Sequence, residues 1–431
     1  MIEKVNLKER EDRRKSRMNR IRPPFYDKFT CIADRCPITC CQEWKIGVDA
    51  DTNRKWKKLL PPETVEPQRK NLSAYTTKKD GERVIGLTED HKCPFLNKEK
   101  LCKLVIAYGD KVLSKTCTDF PREVHVFEQH EEENLMPCCP AVIDLLWKCE
   151  KEEIFKIPET EEDGQLLFMI RRAVLQMAAN AEEDNLSEML NAAFYILSEL
   201  SGAIEEAEGE EAALALTAEY FTAENQENLK KAIREIPSDP LATMQERNEL
   251  LQDLSVNYRQ EGLYTTFLEP LLETAENLTS EFDAQSSDNH SAIDHGGSEH
   301  DKTNNGSVIY EGVELQKSLR QFATVFQPYE KLMKTWLFEE LRSDLLLPDS
   351  SLEDMLIQLQ WITMEYSVIR HSIFLTWLDH RNDITYESVK TAIVILSRMT
   401  GYETDDIYEY LENSFESLLW DWGYFALVTG N

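Results

Sequence analysis

From about residue 160 onward, apolar positions recur at three- and four-residue intervals, with Leu166, Leu167, Ile170, Ala173, Val174 and Met177 setting the pattern. That spacing places them on one face of a helix. It predicts further helices over 186–205, 210–234 and 262–281, then at roughly 311–345, 351–380, 386–399 and 404–420, with Thr385 to Val389 resembling a helix start. Between 283 and 308 the pattern lapses. This stretch is rich in Ser, Asp, Asn and Gly, has few large apolar groups, and is expected to form a linker or disordered loop. His290, His295 and His300 recur there at five-residue spacing, which is not a helical ligand spacing, so they are read as part of a solvated loop rather than a metal tract. Trp336, Trp361, Trp377, Trp420 and Trp422 are expected to fill space between helices. An aromatic cage for a methylated ammonium is the sharper alternative for the same rings.

The first 150 residues are patterned differently. Glu43 to Asp49 alternates polar and apolar side chains as a half-buried strand would, and Arg83 to Thr88 does so after the Asp80–Gly81 turn signal. Residues 52–60 predict a short helix closed by Pro61 and Pro62, and residues 101–115 a second one carrying Cys102 near its start. Pro140 suits the first position of a third, and Cys139 just before it would have its thiolate favoured by the helix dipole. Residues 3–22 are polar, with nine basic residues in the first 22 against four acidic ones, and read as a mobile arm or frayed helix ended by Pro23 and Pro24.

The predicted fold is mainly α. A mixed-charge arm (1–22) leads into a small cysteine-rich α+β module (23–150), followed by an all-helical acidic domain (151–431) containing the 283–308 loop. At 431 residues, the chain exceeds the usual size of one compact domain.

Charge sharpens this division. Residues 1–150 carry 29 basic against 25 acidic side chains, leaving 19 against 54, a balance of −35, for the remainder and a net charge of −31 for the whole chain. Such a surface repels nucleic-acid phosphates, so nucleic acid is not expected as a partner. It keeps the chain soluble, and it would also steer a protein substrate with exposed lysines toward it. No apolar run of spanning length occurs, so no membrane association is expected. With no apolar core of a signal peptide in the first residues, a cytoplasmic location with reduced thiols is the simplest expectation.

All ten cysteines lie between Cys31 and Cys149. Three readings compete: metal or iron–sulfur ligation, a disulfide framework, and buried or redox-active thiols. Disulfides belong to oxidising compartments and to small domains, and Cys31, Cys36, Cys40 and Cys41 are poorly placed to pair with one another. Convergence on a soft metal ion or cluster fits the thiols better. The chain has no Gly-x-Gly, no Gly-x-x-x-x-Gly-Lys and no His-Glu-x-x-His, so neither a Rossmann-type donor site nor a P-loop nor that zinc motif is expected.

Several segments together carry a resemblance: Phe29 to Ile32, Cys36, Cys40, Cys41 and Trp44, Ile46 to Asp49, Cys93–Pro94, Leu101–Cys102, Cys117 with Phe120 to Arg122, and Cys139–Pro140. Over roughly residues 23–150 the chain resembles the flagellin lysine-N-methylase family, part of a group with cysteine-rich, zinc- or iron-chelating domains. The resemblance implies a protein-lysine N-methyltransferase with S-adenosylmethionine as donor and flagellin as protein substrate. It implies an iron–sulfur centre, 4Fe–4S before zinc, with Cys31, Cys36, Cys40, Cys41, Cys93, Cys102, Cys117 and Cys139 as the metal-ligand set. Cys138 and Cys149 fall outside the pattern. Eight thiolates exceed what one four-iron cluster needs, so some are structural or two centres exist.

The spacing of Cys36, Cys40 and Cys41 is not the triplet of radical S-adenosylmethionine enzymes. Ala33 and Glu43 stand where the family often shows glycine. Arg122 is read as a structural salt-bridge partner or a contact to the donor. The sequence identifies neither a catalytic carboxylate nor the donor site. The alternatives to an enzyme are a metal-stapled protein-binding scaffold and a thiol redox sensor.

Overall fold

A computed structural model describes residues 18–79, 81–150, 154–160, 162, 164–205, 209–237, 239–291, 312–380, 383–401, 404–415 and 421–430. Most of the expected arm, residues 292–308 of the expected loop with His295 and His300, and Trp420 lie outside the described residues. The fold is mainly α, and the chain divides into two compact units. Unit 1 comprises residues up to Gln176 together with Phe338–Ser351 and Ile393–Arg398, and unit 2 the rest.

Unit 1 holds five strands among the described residues. The first three are β1 (Asn19–Ile21), β2 (Thr76–Lys79) and β3 (Glu82–Ile85), followed by β4 (Arg122–Val126) and β5 (His130–Leu135). β2 and β3 form an antiparallel hairpin, with Thr76 opposite Ile85. In the other sheet β5 is central, parallel to β1 and antiparallel to β4. Every residue of β5 is buried although its sequence is His130, Glu131, Glu132, Glu133, Asn134 and Leu135. A charge cannot be buried without a partner, and alternation of the strand gives each face its own set. Glu131 and Glu133 take Arg20 and Arg22 on one face, while His130, Glu132 and Asn134 take Glu162, Arg171 and Arg342 on the other. The alternation expected over Glu43 to Asp49 yields only isolated bridges, Gln42 to Lys92 and Gly47 to Val84, rather than a strand.

Among the described residues, the first 150 also hold four short α-helices: α1 (Ala50–Trp56), α2 (Lys103–Tyr108), α3 (Lys115–Asp119) and α4 (Pro140–Lys148). The helix expected over 101–115 ends at Gly109, which takes φ +75°, and continues as a 3-10 turn. The core here gathers Ile46, Val48, Trp56, Leu72, Phe95 and Leu104, with Trp56 donating its indole N–H to the Val112 carbonyl at 2.7 Å.

In unit 2 every described element is helical. In chain order the long helices are α5 (Leu166–Asn180), α6 (Leu186–Glu205), α7 (Glu210–Tyr220), α8 (Ala223–Arg234), α9 (Pro240–Gln260) and α10 (Thr265–Ser291). They continue as α11 (Gly312–Phe326), α12 (Glu330–Asp344), α13 (Leu352–Asp379), α14 (Tyr386–Met399), α15 (Thr404–Phe415) and α16 (Trp422–Thr429). The first residues of α5 and the ends of α12 and α14 belong to unit 1.

The single helix expected over 210–234 is two helices, because Thr222 accepts a hydrogen bond from the Asn225 N–H and caps a new start. The one expected over 311–345 is broken by a 3-10 turn containing Pro328. The first part of the expected loop, up to Ser291, is the end of α10. α13 is buried on nearly all sides and is the central helix of unit 2, packing against α6, α9, α10, α15 and α16. Trp336 and Trp377 are fully enclosed, and Trp361 donates to the Thr400 carbonyl, so these three serve as core rings rather than an open cage. No described helix is long and apolar enough to cross a membrane.

Candidate thiol centre

The eight cysteines of the family pattern come from five separate stretches of unit 1, and backbone pairing draws those stretches together. The Cys93 N–H donates to the Cys41 carbonyl at 2.8 Å, and Cys102 bridges to Leu96 in the same short loop. Cys102 then caps α2, and Cys117 lies in α3, its N–H donating to the Ser114 hydroxyl. Asp49 ties α1 to α3, since its carboxylate accepts the N–H of Thr52 at 2.8 Å and that of Lys115 at 3.0 Å. Burial opposes ionisation of Asp49, yet these N–H groups hold its carboxyl down at about 2. Gly47 allows the close approach of this layer, because a Cβ there would meet the Thr116 hydroxyl at 2.9 Å. Cys41, Cys93, Cys102 and Cys117 all pack with the apolar core.

The thiols act on one another electrostatically in two groups that share Cys40. Cys31, Cys36, Cys40 and Cys139 form one, and Cys40, Cys41, Cys93, Cys102 and Cys117 the other. A hydrogen bond from Cys41 draws Cys40 down despite burial, aided by the Arg398 charge, while Cys41 is pushed far up by the same bond. Burial raises Cys117 to about 11 and Cys93 further. Cys139 does cap α4, as its place before Pro140 implied, and the Ala141 and Val142 N–H groups favour its thiolate. Burial outweighs them and pushes Cys139 up to about 12, reversing the direction expected from the helix dipole alone. Cys138 is wholly buried beside Cys139 and Cys149 is buried at the end of α4; Cys31 is exposed.

Arg398 organises this region. Its buried guanidinium donates to the carbonyls of Ile38 at 2.9 Å, Thr39 at 3.3 Å and Cys138 at 3.1 Å, and lies 5.1 Å from the Trp44 ring. It therefore joins the loop carrying Cys36, Cys40 and Cys41 to the turn carrying Cys138 and Cys139. No local sequence signal marks Arg398 for this role. Arg122 lies over the rings of Phe29 and Tyr26, at 5.1 and 5.9 Å, and so packs the start of the module. Ala33 and Glu43 both adopt left-handed backbone, at φ 46° and 55°.

The donor set suits a soft centre. Among the described residues no three thiols lie within 4.8 Å of one another, whereas tetrahedral zinc would hold its sulfurs about 3.8 Å apart. Two open cavities fall in the size range of small-molecule sites. One, of about 650 Å³ in unit 1, is bordered by Phe127, Phe168, Glu128 and Glu162; the other, of about 520 Å³ in unit 2, by Arg247, Arg370, His371 and Phe374. No cysteine lines either one.

The model of the FliB lysine N-methylase C-terminal domain matches residues 172–428, more than half of the chain. The chain belongs to the FliB lysine N-methylase family. The matched region begins after the last cysteine and covers most of the helical part. The chain is also 30% identical over 122 residues to a lysine-N-methylase of Salmonella typhimurium, and equally so to one of Salmonella choleraesuis. Each of these alignments covers 28% of this chain and 30% of the relative, so the chain spans under a third of those proteins' length. It is 29% identical over 127 residues to a flagellar biosynthetic protein, FliU, of Salmonella muenchen, covering 28% of this chain and 72% of the relative. No solved structure matches the chain.

Proposed function

We propose that this FliB-family protein is a protein-lysine N-methyltransferase that takes the methyl group from S-adenosylmethionine and acts on flagellin in the cytoplasm. The match over 172–428 carries this reading, and the relatives named lysine-N-methylase and flagellar biosynthetic protein support it. In the reaction a neutral lysine amine attacks the sulfonium methyl group. The N–C bond forms as the C–S bond breaks, the sulfur leaves as a thioether, and the nitrogen then loses a proton.

The thiols of Cys31, Cys36, Cys40, Cys41, Cys93, Cys102, Cys117 and Cys139 would hold an iron–sulfur centre. Such a centre supplies iron able to bind the amino and carboxylate groups of the donor. This chain's own contribution is to position the thiols: Asp49 fixes α3, and Arg398 fixes the loop of Cys36 to Cys41. Packing of Cys41, Cys93, Cys102 and Cys117 into the core favours a second reading, in which the centre only staples unit 1 while other surfaces bind a partner.

The test is to prepare the whole chain without oxygen, measure iron and sulfide, and incubate it with methyl-labelled donor and flagellin. Label on flagellin lysines, lost in Cys40→Ser and Cys93→Ser variants that keep their helical signal, is expected. An iron-loaded protein that transfers no label would leave the stapled scaffold. Transfer undiminished in both variants would place the chemistry away from the thiols.

A further inference from the structure

Among the described residues, one set of three metal-ligating side chains brings its donor atoms within 4.8 Å of one another: Glu123, His125 and Asp344. We infer that these three side chains form a binding site for a divalent first-row metal ion. Nothing in the family membership assigns them a role, and the inference does not rest on methyl transfer.

Glu123 and His125 are two residues apart on β4, so alternation points both to the same face of the sheet's edge strand. Asp344 is the last residue of α12 and, like β4, belongs to unit 1. His125 Nε2 lies 3.5 Å from a Glu123 oxygen and 3.9 Å from an Asp344 oxygen. Those separations are too long for good hydrogen bonds, and this buried nitrogen makes no bond of good geometry, its interaction with Glu123 being mainly electrostatic. They are close to what an ion imposes, since donors about 2.1 Å from a tetrahedral metal stand about 3.4 Å apart. A carboxylate at a helix C-terminus also meets the negative end of the helix dipole, which a cation there would offset.

The site is supported from outside. Ser343 donates to the Glu123 carboxylate at 3.2 Å and accepts from the Asn134 amide at 3.1 Å, and Arg342 donates to the other end of that amide at 2.6 Å. Bonds of this kind orient metal-binding carboxylates. Side-chain exposures of 12% for His125, 33% for Glu123 and 36% for Asp344 leave a route for the ion and for water to complete its shell. One imidazole and two carboxylates suit manganese(II), iron(II) or zinc, whereas the thiols of the same unit prefer softer ions.

Manganese(II) is therefore the discriminating probe. With the full-length protein, electron paramagnetic resonance should detect one bound manganese ion per chain, and pulsed measurements should detect coupling to one imidazole nitrogen. His125→Gln should abolish the coupling, whereas the exposed His380→Gln should keep it. Glu123→Gln and Asp344→Asn should weaken binding roughly tenfold or more. The site is refuted if millimolar manganese(II) does not bind to the wild-type protein, if it binds without nitrogen coupling, or if the coupling survives His125→Gln. In the first case, the three groups form only a salt-bridge cluster with a protonated histidine. The wild-type spectrum decides even where a variant fails to fold.

Discussion

Arg171 grips Glu132 with two parallel hydrogen bonds, of 2.8 and 2.6 Å, and the two side chains are only 3% and 1% exposed. Burial works against the Glu132 carboxylate, but the guanidinium charge holds it well below the usual carboxylate range. Removing one partner of such a pair strands the other. Arg171→Met is expected to cost about 3–5 kcal/mol, and the double variant Arg171→Met, Glu132→Gln to recover part of that loss. Urea unfolding of the parent, Arg171→Met, Glu132→Gln and the double variant measures this coupling, and strictly additive losses would contradict it.

His371 gives unit 2 an acid sensitivity of definite sign. It is 2% exposed, its Nε2 lies 2.7 Å from the Asn248 side-chain oxygen, and burial, helped by the Arg247 charge, brings its pKa down to about 3. An unfolded histidine protonates near pH 6.5. Between those values the unfolded chain holds a proton that the folded chain does not, so this contribution is complete above about pH 6.5. It is lost as the pH falls, by up to about 1.4 kcal/mol per unit. Denaturation curves from pH 7 to 4 should be shallower in pH for His371→Gln than for the parent, and identical slopes would exclude the effect.

Ala33 occupies left-handed backbone at φ 46°, which costs an L side chain about 1 kcal/mol or more. Ala33→Gly should therefore leave stability unchanged or raise it by up to about 1 kcal/mol, whereas β-branched Ala33→Val should lower it by more than about 1 kcal/mol. Melting temperatures of the two variants in the opposite order would count against this backbone geometry.

Arg398 bonds three carbonyls at once, and Arg398→Met preserves most of its volume while leaving them without that donor. A loss of about 3 kcal/mol is expected. Amide exchange should accelerate at residues 36–41 and 138–139 first, and a change confined to residues around 398 would argue against the clamp.

These features differ in how far they were legible in the amino-acid order. Helices of unit 2 could be read because Leu166, Ile170 and Val174 repeat at helical spacing. The boundaries depended on single residues whose weight is easily missed: Thr222 as a cap, Pro328 as a breaker, and Asp239 before Pro240 at the start of α9, which the apolar pattern left unmarked. β5 was the opposite case. Three consecutive glutamates do not suggest a buried central strand, and the arginines that make it possible come from both sides at distances of 39 to 208 residues. The thiols were visible as a group because no cysteine occurs outside residues 31–149. Arg398, Asp344 and the relay through Asn134 and Ser343 were not, because their meaning exists only after the chain has folded. Ala33 and Glu43, where the family resemblance led us to expect glycine, are positions of positive φ.

The contact between Arg398 and Ile38 spans 360 residues. On the ribosome, the first thiols therefore emerge long before the side chain that fixes their loop. Any cofactor-loading step that needs that loop in its final form must wait until synthesis has passed residue 398, and an N-terminal fragment ending before it would carry the cysteines without the residue that holds them in register.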